Sequence, residues 1–203
     1  MIPERILGYL VAFVSGAASM AFQMLGSRIL APDFGSSIFV WGSLISVFLG
    51  ALSLGYMLGG ILSDRSHSPI LLGILVFVPA LLILTFPWYA PPITGAVFEM
   101  ELGPRSGPLL ASTALFLLPT IFFGAVGPYV VGMLSDPVHG AGRRAGDVFA
   151  VATIGSILGT LGTAYYLILK LGVNASLMTI GLTLLLLALV AFVAGMARRS
   201  KAE

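Results

Sequence analysis

Residues 38–63, IFVWGSLISVFLGALSLGYMLGGILS, run for 26 positions without one charged side chain. At the helical rise of about 1.5 Å per residue, roughly 20 residues cross the ~30 Å hydrocarbon core of a bilayer. The run is continuously apolar rather than alternating, so it reads as a membrane helix and not as a barrel strand. Working outward from it, five more such runs lie at about 6–25, 70–89, 109–134, 148–169 and 175–197. The expected fold is an all-α integral membrane bundle of about six transmembrane helices, forming one domain over 1–203.

Composition agrees. Of 203 residues 58% are hydrophobic and 9% charged, and mean hydropathy is +1.07. A water-soluble domain carries about 25% charged residues. There are no cysteines, which excludes disulfides and thiolate metal sites. His67 and His139 are too few and too far apart to form a metal site, and no cofactor is implied. The first run has Arg5 ahead of it and the small-residue stretch SGAASMA within it, as a signal peptide would, but it is long for one.

Basic residues in short loops set orientation. With six spans, Arg5, Arg65, Arg143, Arg144, Arg198, Arg199 and Lys201 share one side, while Arg28, Arg105 and Lys170 share the other. This predicts cytoplasmic N- and C-termini in the cell (inner) membrane. The sequence pI near 9.2 is then a topology signal and does not imply nucleic acid. The terminal RRSK is suited to touching anionic headgroups. An outer loop is predicted over 90–108, with Pro91, Pro92, Pro104, Pro108, Glu99 and Glu101, and with 93–102 as a short interfacial helix. Three spans on either side allow an inverted 3+3 repeat. Its trace in the sequence is that spans two and five are both rich in glycine and hydroxyl residues.

Gly55/Gly59 and Gly155/Gly159 have the small-xxx-small spacing that brings helices close in lipid. Ser15, Ser19 and Gln23, four residues apart, share one helical face that should point into the bundle. The middles of the spans carry no Asp, Glu, Lys or Arg, which disfavours an ion-coupled pump with a buried carboxylate. Arg28 with Asp33, and Asp64 with Arg65, are candidate interface or gating pairs. Pro79, Pro119 and Pro128 fall within spans, and Pro128 with Gly124 and Gly127 marks the expected distortion. No nucleophile–base set, P-loop or dinucleotide fingerprint occurs, so catalysis is not expected.

Three stretches carry a resemblance: QMLGSRILAPDFGSSIFVWGSLISVFLGALSLGYMLGGILSDR, LLPTIFFGAVGPYVVGMLSD and AGDVFAVATIGSILGTLGTAYYLILKLG. Spanning most of residues 20–173, they resemble in order and spacing the membrane domain fused to spermidine synthase-like (polyamine aminopropyltransferase-like) proteins. GGILSDR also resembles the loop 2–3 signature of the major facilitator superfamily, whose half would have six spans. The resemblance implies a transporter-like domain handling a small, cationic, polyamine-like metabolite. Candidate lining residues are Ser15, Ser19, Gln23, Trp41, Ser46, Tyr56, Ser156 and Thr160, and Glu99 and Glu101 would attract cations. Family members commonly carry Glu where Gln23 stands, which removes an ionisable group here. No soluble aminopropyltransferase-like domain is expected within the chain, so the family's catalysis does not carry over. The alternative is a membrane anchor or scaffold for a separate soluble aminopropyltransferase-like partner or a larger complex. A homodimer through small-residue faces is a further expectation. An intramembrane lipid enzyme is the least favoured reading, for want of an acid–base pair.

Overall fold

The computed structural model describes residues 4–135 and 141–199. It is helical throughout, in the order α1 (Glu4–Phe34), α2 (Ile38–Arg65), α3 (Pro69–Glu99), α4 (Gly103–Leu134), α5 (Ala141–Gly162), a π-helical turn (Thr163–Leu167) and α6 (Ile168–Arg199). In lipid no water satisfies exposed backbone, so the chain stays helical through its proline positions. The connections are short for the same reason. Gly35, in the left-handed region at φ 71°, ends α1. Ser68 caps α3 by accepting the Ile70 N–H at 3.2 Å, ahead of Pro69.

Three expectations are corrected. The outer connection is not a loop over 90–108: α3 runs through Pro91 and Pro92 to Glu99, and α4 begins at Gly103. Glu101 (φ 49°) and Gly103 (φ 80°) make the reversal, with Pro in the first turn of α4. Pro128 does not break α4, because a neighbouring helix can shelter a backbone carbonyl that proline leaves unbonded. The distortions lie instead at the π-helical turn and at Gly172 (φ 74°, ψ 179°). Finally, the described residues hold five separately bounded helices of membrane-spanning length and apolarity, not six.

The fifth of these, Gly142–Arg198, is 57 residues long. Straight, it would measure about 85 Å, far beyond one bilayer core. The packing directions show that it folds back at Gly172. Gly155 meets Phe13 and Gly159 meets Ala17, so α5 runs parallel to α1. Gly8 lies against Val130 and Gly26 against Phe116, so α4 opposes α1. Tyr129, late in α4, bonds Ser68 at the start of α3, so α3 also opposes α4. Gly73 meets Phe192 and Gly195 meets Ile70, so α6 opposes α3. Hence α5 and α6 run in opposite directions, and the fifth and sixth predicted spans are the two arms of one bent rod. The chain enters and leaves at one end of the bundle: there Arg198 pairs with Glu4 at 3.1 Å and donates to the His67 carbonyl at 3.0 Å. The RRSK tail lies outside the described side chains, as does His139.

The glycine contacts come in matched pairs. Gly16 abuts the Ala152 carbonyl as Gly124 abuts that of Leu52; Gly55 meets Ile121 as Gly155 meets Phe13; Gly59 meets Ala125 as Gly159 meets Ala17. Gly73 faces Phe192 as Gly181 faces Leu84. One shift relates α1 to α4 and α3 to α6 (16 to 124 and 73 to 181, a difference of 108), and another relates α2 to α5 (55 to 155, a difference of 100). Because α1 and α4 run oppositely, the operation is a pseudo-two-fold lying across the bundle. Helices α1–α3 and α4–α6 are thus an inverted repeat. Within the first four helices Phe22, Phe48, Phe86 and Phe116 form a buried aromatic cluster, with ring centroids 5.1 Å apart for Phe22–Phe86 and Phe22–Phe116.

Gly59→Val should lower thermal stability in detergent by about 2 kcal/mol or more, since its Cβ meets the Ala125 backbone. Gly60→Ala, one residue on and with nothing within 4 Å, should be neutral or stabilising by up to about 1 kcal/mol. Equal effects of the two changes in a thermal unfolding assay would contradict this packing.

Candidate functional site

Helices α1, α2, α4 and α5 enclose a cavity of about 120 Å3. Its walls exchange under the repeat operation: Gly16 with Gly124, Ser15 with Phe123, Leu52 with Ala152, and Tyr56 with Ser156 all line it. The cavity therefore straddles the pseudo-two-fold, midway along the helices.

Its polar groups are hydroxyls. Membrane helices usually quiet a hydroxyl by bonding it to the carbonyl one turn back. Thr153 does so to Phe149 (2.7 Å) and Thr160 to Ser156 (2.8 Å). Ser156 bonds both Ala152 (3.0 Å) and, across the interface, Gly16 (3.2 Å). Ser15 and Ser19 do neither. They are 3% and 5% exposed, and their hydroxyls have no hydrogen-bond partner. A buried, unmade hydrogen bond costs about 1–3 kcal/mol. Ser112, Thr120 and Thr163 share this condition elsewhere among the described residues. No ionisable side chain lines the cavity, so it presents donors and acceptors without net charge.

Of the eight residues expected to line a site, the cavity gathers Ser15, Ser19, Tyr56 and Ser156. Gln23 is half-buried and off the wall, because the drift of a helical face over two turns carries it away. Ser46 is exposed on the outer face of α2, and Thr160 is half-buried one turn beyond Ser156. Trp41 lines a separate pocket of about 240 Å3 with Arg28. Thr153 and Phe149, which also line the cavity, were not singled out from sequence. The signal was there in Thr153 and Ser156, three residues apart on one face.

The proposed pairs do not close. Among the described residues Arg28 and Asp33 form no ion pair, nor do Asp64 and Arg65. Five residues apart on a helix, or adjacent, side chains do not face each other. Asp33 instead joins Glu99 and Glu101 around a pocket of about 640 Å3 where the α3–α4 connection meets α1. Arg105 stands over the Phe39 ring, 5.5 Å from its centroid. Gly55 and Gly59 lie against α4, and Gly155 and Gly159 against α1.

No family model, curated protein or solved structure matches this chain. The fold and the cavity define an α-helical membrane protein with an axial polar site.

Replacing both Ser15 and Ser19 by Ala should raise the melting temperature of the purified protein, the gain being about 1 kcal/mol or more as two unsatisfied groups are removed. A drop in melting temperature would mean that both hydroxyls are bonded structural elements.

Proposed function

We propose that this protein is a carrier that moves a small polar solute through the axial cavity between its two inverted halves. The observation that carries this reading is the pair of buried, unpartnered hydroxyls of Ser15 and Ser19 on the repeat axis. Carriers built from inverted repeats hold their substrates at the repeat interface near the bilayer midplane, where rocking one half against the other exposes the site alternately. Ser15 and Ser19 would donate to and accept from the solute, and Tyr56, half exposed at the rim, would orient it.

The chemistry of the walls favours an uncharged solute. Desolvating a cation without a carboxylate beside it costs several kcal/mol, and the cavity has none. One observation favours the cationic, polyamine-like metabolite implied by the resemblance: Asp33, Glu99 and Glu101 line a wide pocket at one end of the bundle, which would concentrate cations at that mouth. We place the opposite end, with Arg5, Arg65, Arg143, Arg144 and Arg198, in the cytoplasm on the distribution of basic residues. The anchor or scaffold alternative loses surface, because Gly55, Gly59, Gly155 and Gly159 are used within the bundle.

Proteoliposomes should accumulate labelled small polar solutes above the level of protein-free vesicles. Ser15→Ala/Ser19→Ala should cut that uptake about tenfold, the equivalent of about 1.4 kcal/mol. If a panel of sugars, amides, neutral amino compounds and polyamines shows no uptake, the carrier reading falls. A stoichiometric soluble partner from native membranes would then favour the scaffold. Sidedness is checked in the cysteine-free chain: a cysteine at Leu102 should react with an impermeant thiol reagent applied to intact cells, and one at Ser66 should not.

A further inference from the structure

A second concavity opens on the outside of the bundle, between α1, the α5–π-turn segment and α6. It has a volume of about 400 Å3 and is mostly apolar. The inverted repeat supplies its control, because the equivalent seam between α4, α2 and α3 is closed. Position by position the groove carries the smaller or more polar side chain. Ala21 stands where the other repeat has Tyr129, Ala18 where it has Val126, Val14 where it has Phe122, and Gly162 where it has Leu62. On α6, Thr179 and Thr183 replace Leu71 and Leu75. Tyr129 is fully buried in its seam, and its hydroxyl donates to the Ser68 carbonyl (2.9 Å) and accepts the Ser68 N–H (3.0 Å). The groove is thus built by sequence, through side chains that were made small, and not by loose packing of equal ones.

Thr163 is the second observation. It is 0% exposed, lines the groove and begins the π-helical turn, and its hydroxyl has no partner. Its counterpart Ser63 is satisfied, bonding the Gly60 carbonyl at 2.9 Å. Thr179 and Thr183 give their protons to the carbonyls of Ala175 and of Thr179 (2.8 Å each) and keep lone pairs free to accept. Tyr166, at 62% exposure, flanks the mouth. The groove opens on the surface that lipid bathes, so what enters it is a molecule dissolved in the bilayer.

We infer that this groove is a specific site for one membrane lipid, with an acyl chain lying against Ala21, Ala18, Ala17 and Val14 and a hydrogen-bonding group of its backbone at Thr163. From Val14 to Ala21 the trough is about 10 Å long, two helical turns. Thr163 lies near the α5–α6 reversal, at the end of the trough where ester or hydroxyl groups meet the hydrocarbon. Ordinary annular lipid would need neither the excised side chains nor the orphaned hydroxyl. The inference is independent of what the axial cavity carries.

The test uses the full chain in nanodiscs containing a phospholipid with a diazirine in its acyl chain. Photolabel should concentrate on peptides covering 158–167 and 179–183. Ala18→Val/Ala21→Tyr, which transplants the side chains of the closed seam, should abolish that concentration. Thr163→Val, nearly the same shape, should weaken it about fivefold, as expected for one lost hydrogen bond of about 1 kcal/mol. Ala18→Val alone serves as the fallback if the double variant is not monodisperse, and should lower the labelling in part. Label spread evenly over all lipid-facing helices, or unchanged in both the Ala18→Val and Thr163→Val proteins, would overturn the assignment.

Discussion

The bundle depends on backbone approaching backbone. Lipid tails are as apolar as leucine, so burying a leucine between membrane helices gains little, and attraction must come from close contact. Here it comes where a missing Cβ lets a carbonyl of the next helix fill its place. Gly55 and Gly59 seat α2 on α4, and Gly155, Gly159 and Gly16 seat α5 on α1. Because these contacts recur under a pseudo-two-fold, one packing solution is used twice. The axial cavity is what remains where the two solutions meet.

That origin explains why the cavity is polar without being charged. Helices this close leave no space for a carboxylate and its partner, but they do accommodate serine. Ser15 and Ser19 lie on the α1 face that passes between both glycine contacts, buried by neighbours that offer them no acceptor. The two halves are not copies in detail. The aromatic cluster of Phe22, Phe48, Phe86 and Phe116 maps onto Val130, Val148, Ala194 and Gly8, so bulk is concentrated towards one end. Such inequality between inverted halves is what allows two faces of a membrane protein to differ.

Much of this was legible in the residues. Apolar runs located every helix, because charge and turn residues are confined to the ends, and the glycine spacing marked α2 and α5 as closely packed elements. Prolines misled. Pro91 and Pro92 read as a loop, yet α3 continues through them, since lipid offers the chain nothing better than helix. The bent rod was invisible as one element, because Gly172 resembles any other glycine until its φ is known. Half of the candidate site emerged from helical periodicity within α1. The other half, Thr153 and Phe149, depends on which face α5 turns inward, and that is decided by Gly155 and Gly159 meeting α1. Ion pairing was the least legible feature: Arg28 and Asp33 are near in sequence but diverge around the helix.

The π-helical turn at Thr163–Leu167 has a consequence for how such a chain changes over time. A π-turn is how a helix accommodates one surplus residue without unravelling. Losing a single residue there would restore the ordinary ladder and swing everything between it and Gly172 by about 100° around the axis. Tyr165, Tyr166 and Lys170 would then face different neighbours while the rest of α5 stayed in register. An indel of one codon, more readily than any substitution, would redraw this flank of the molecule.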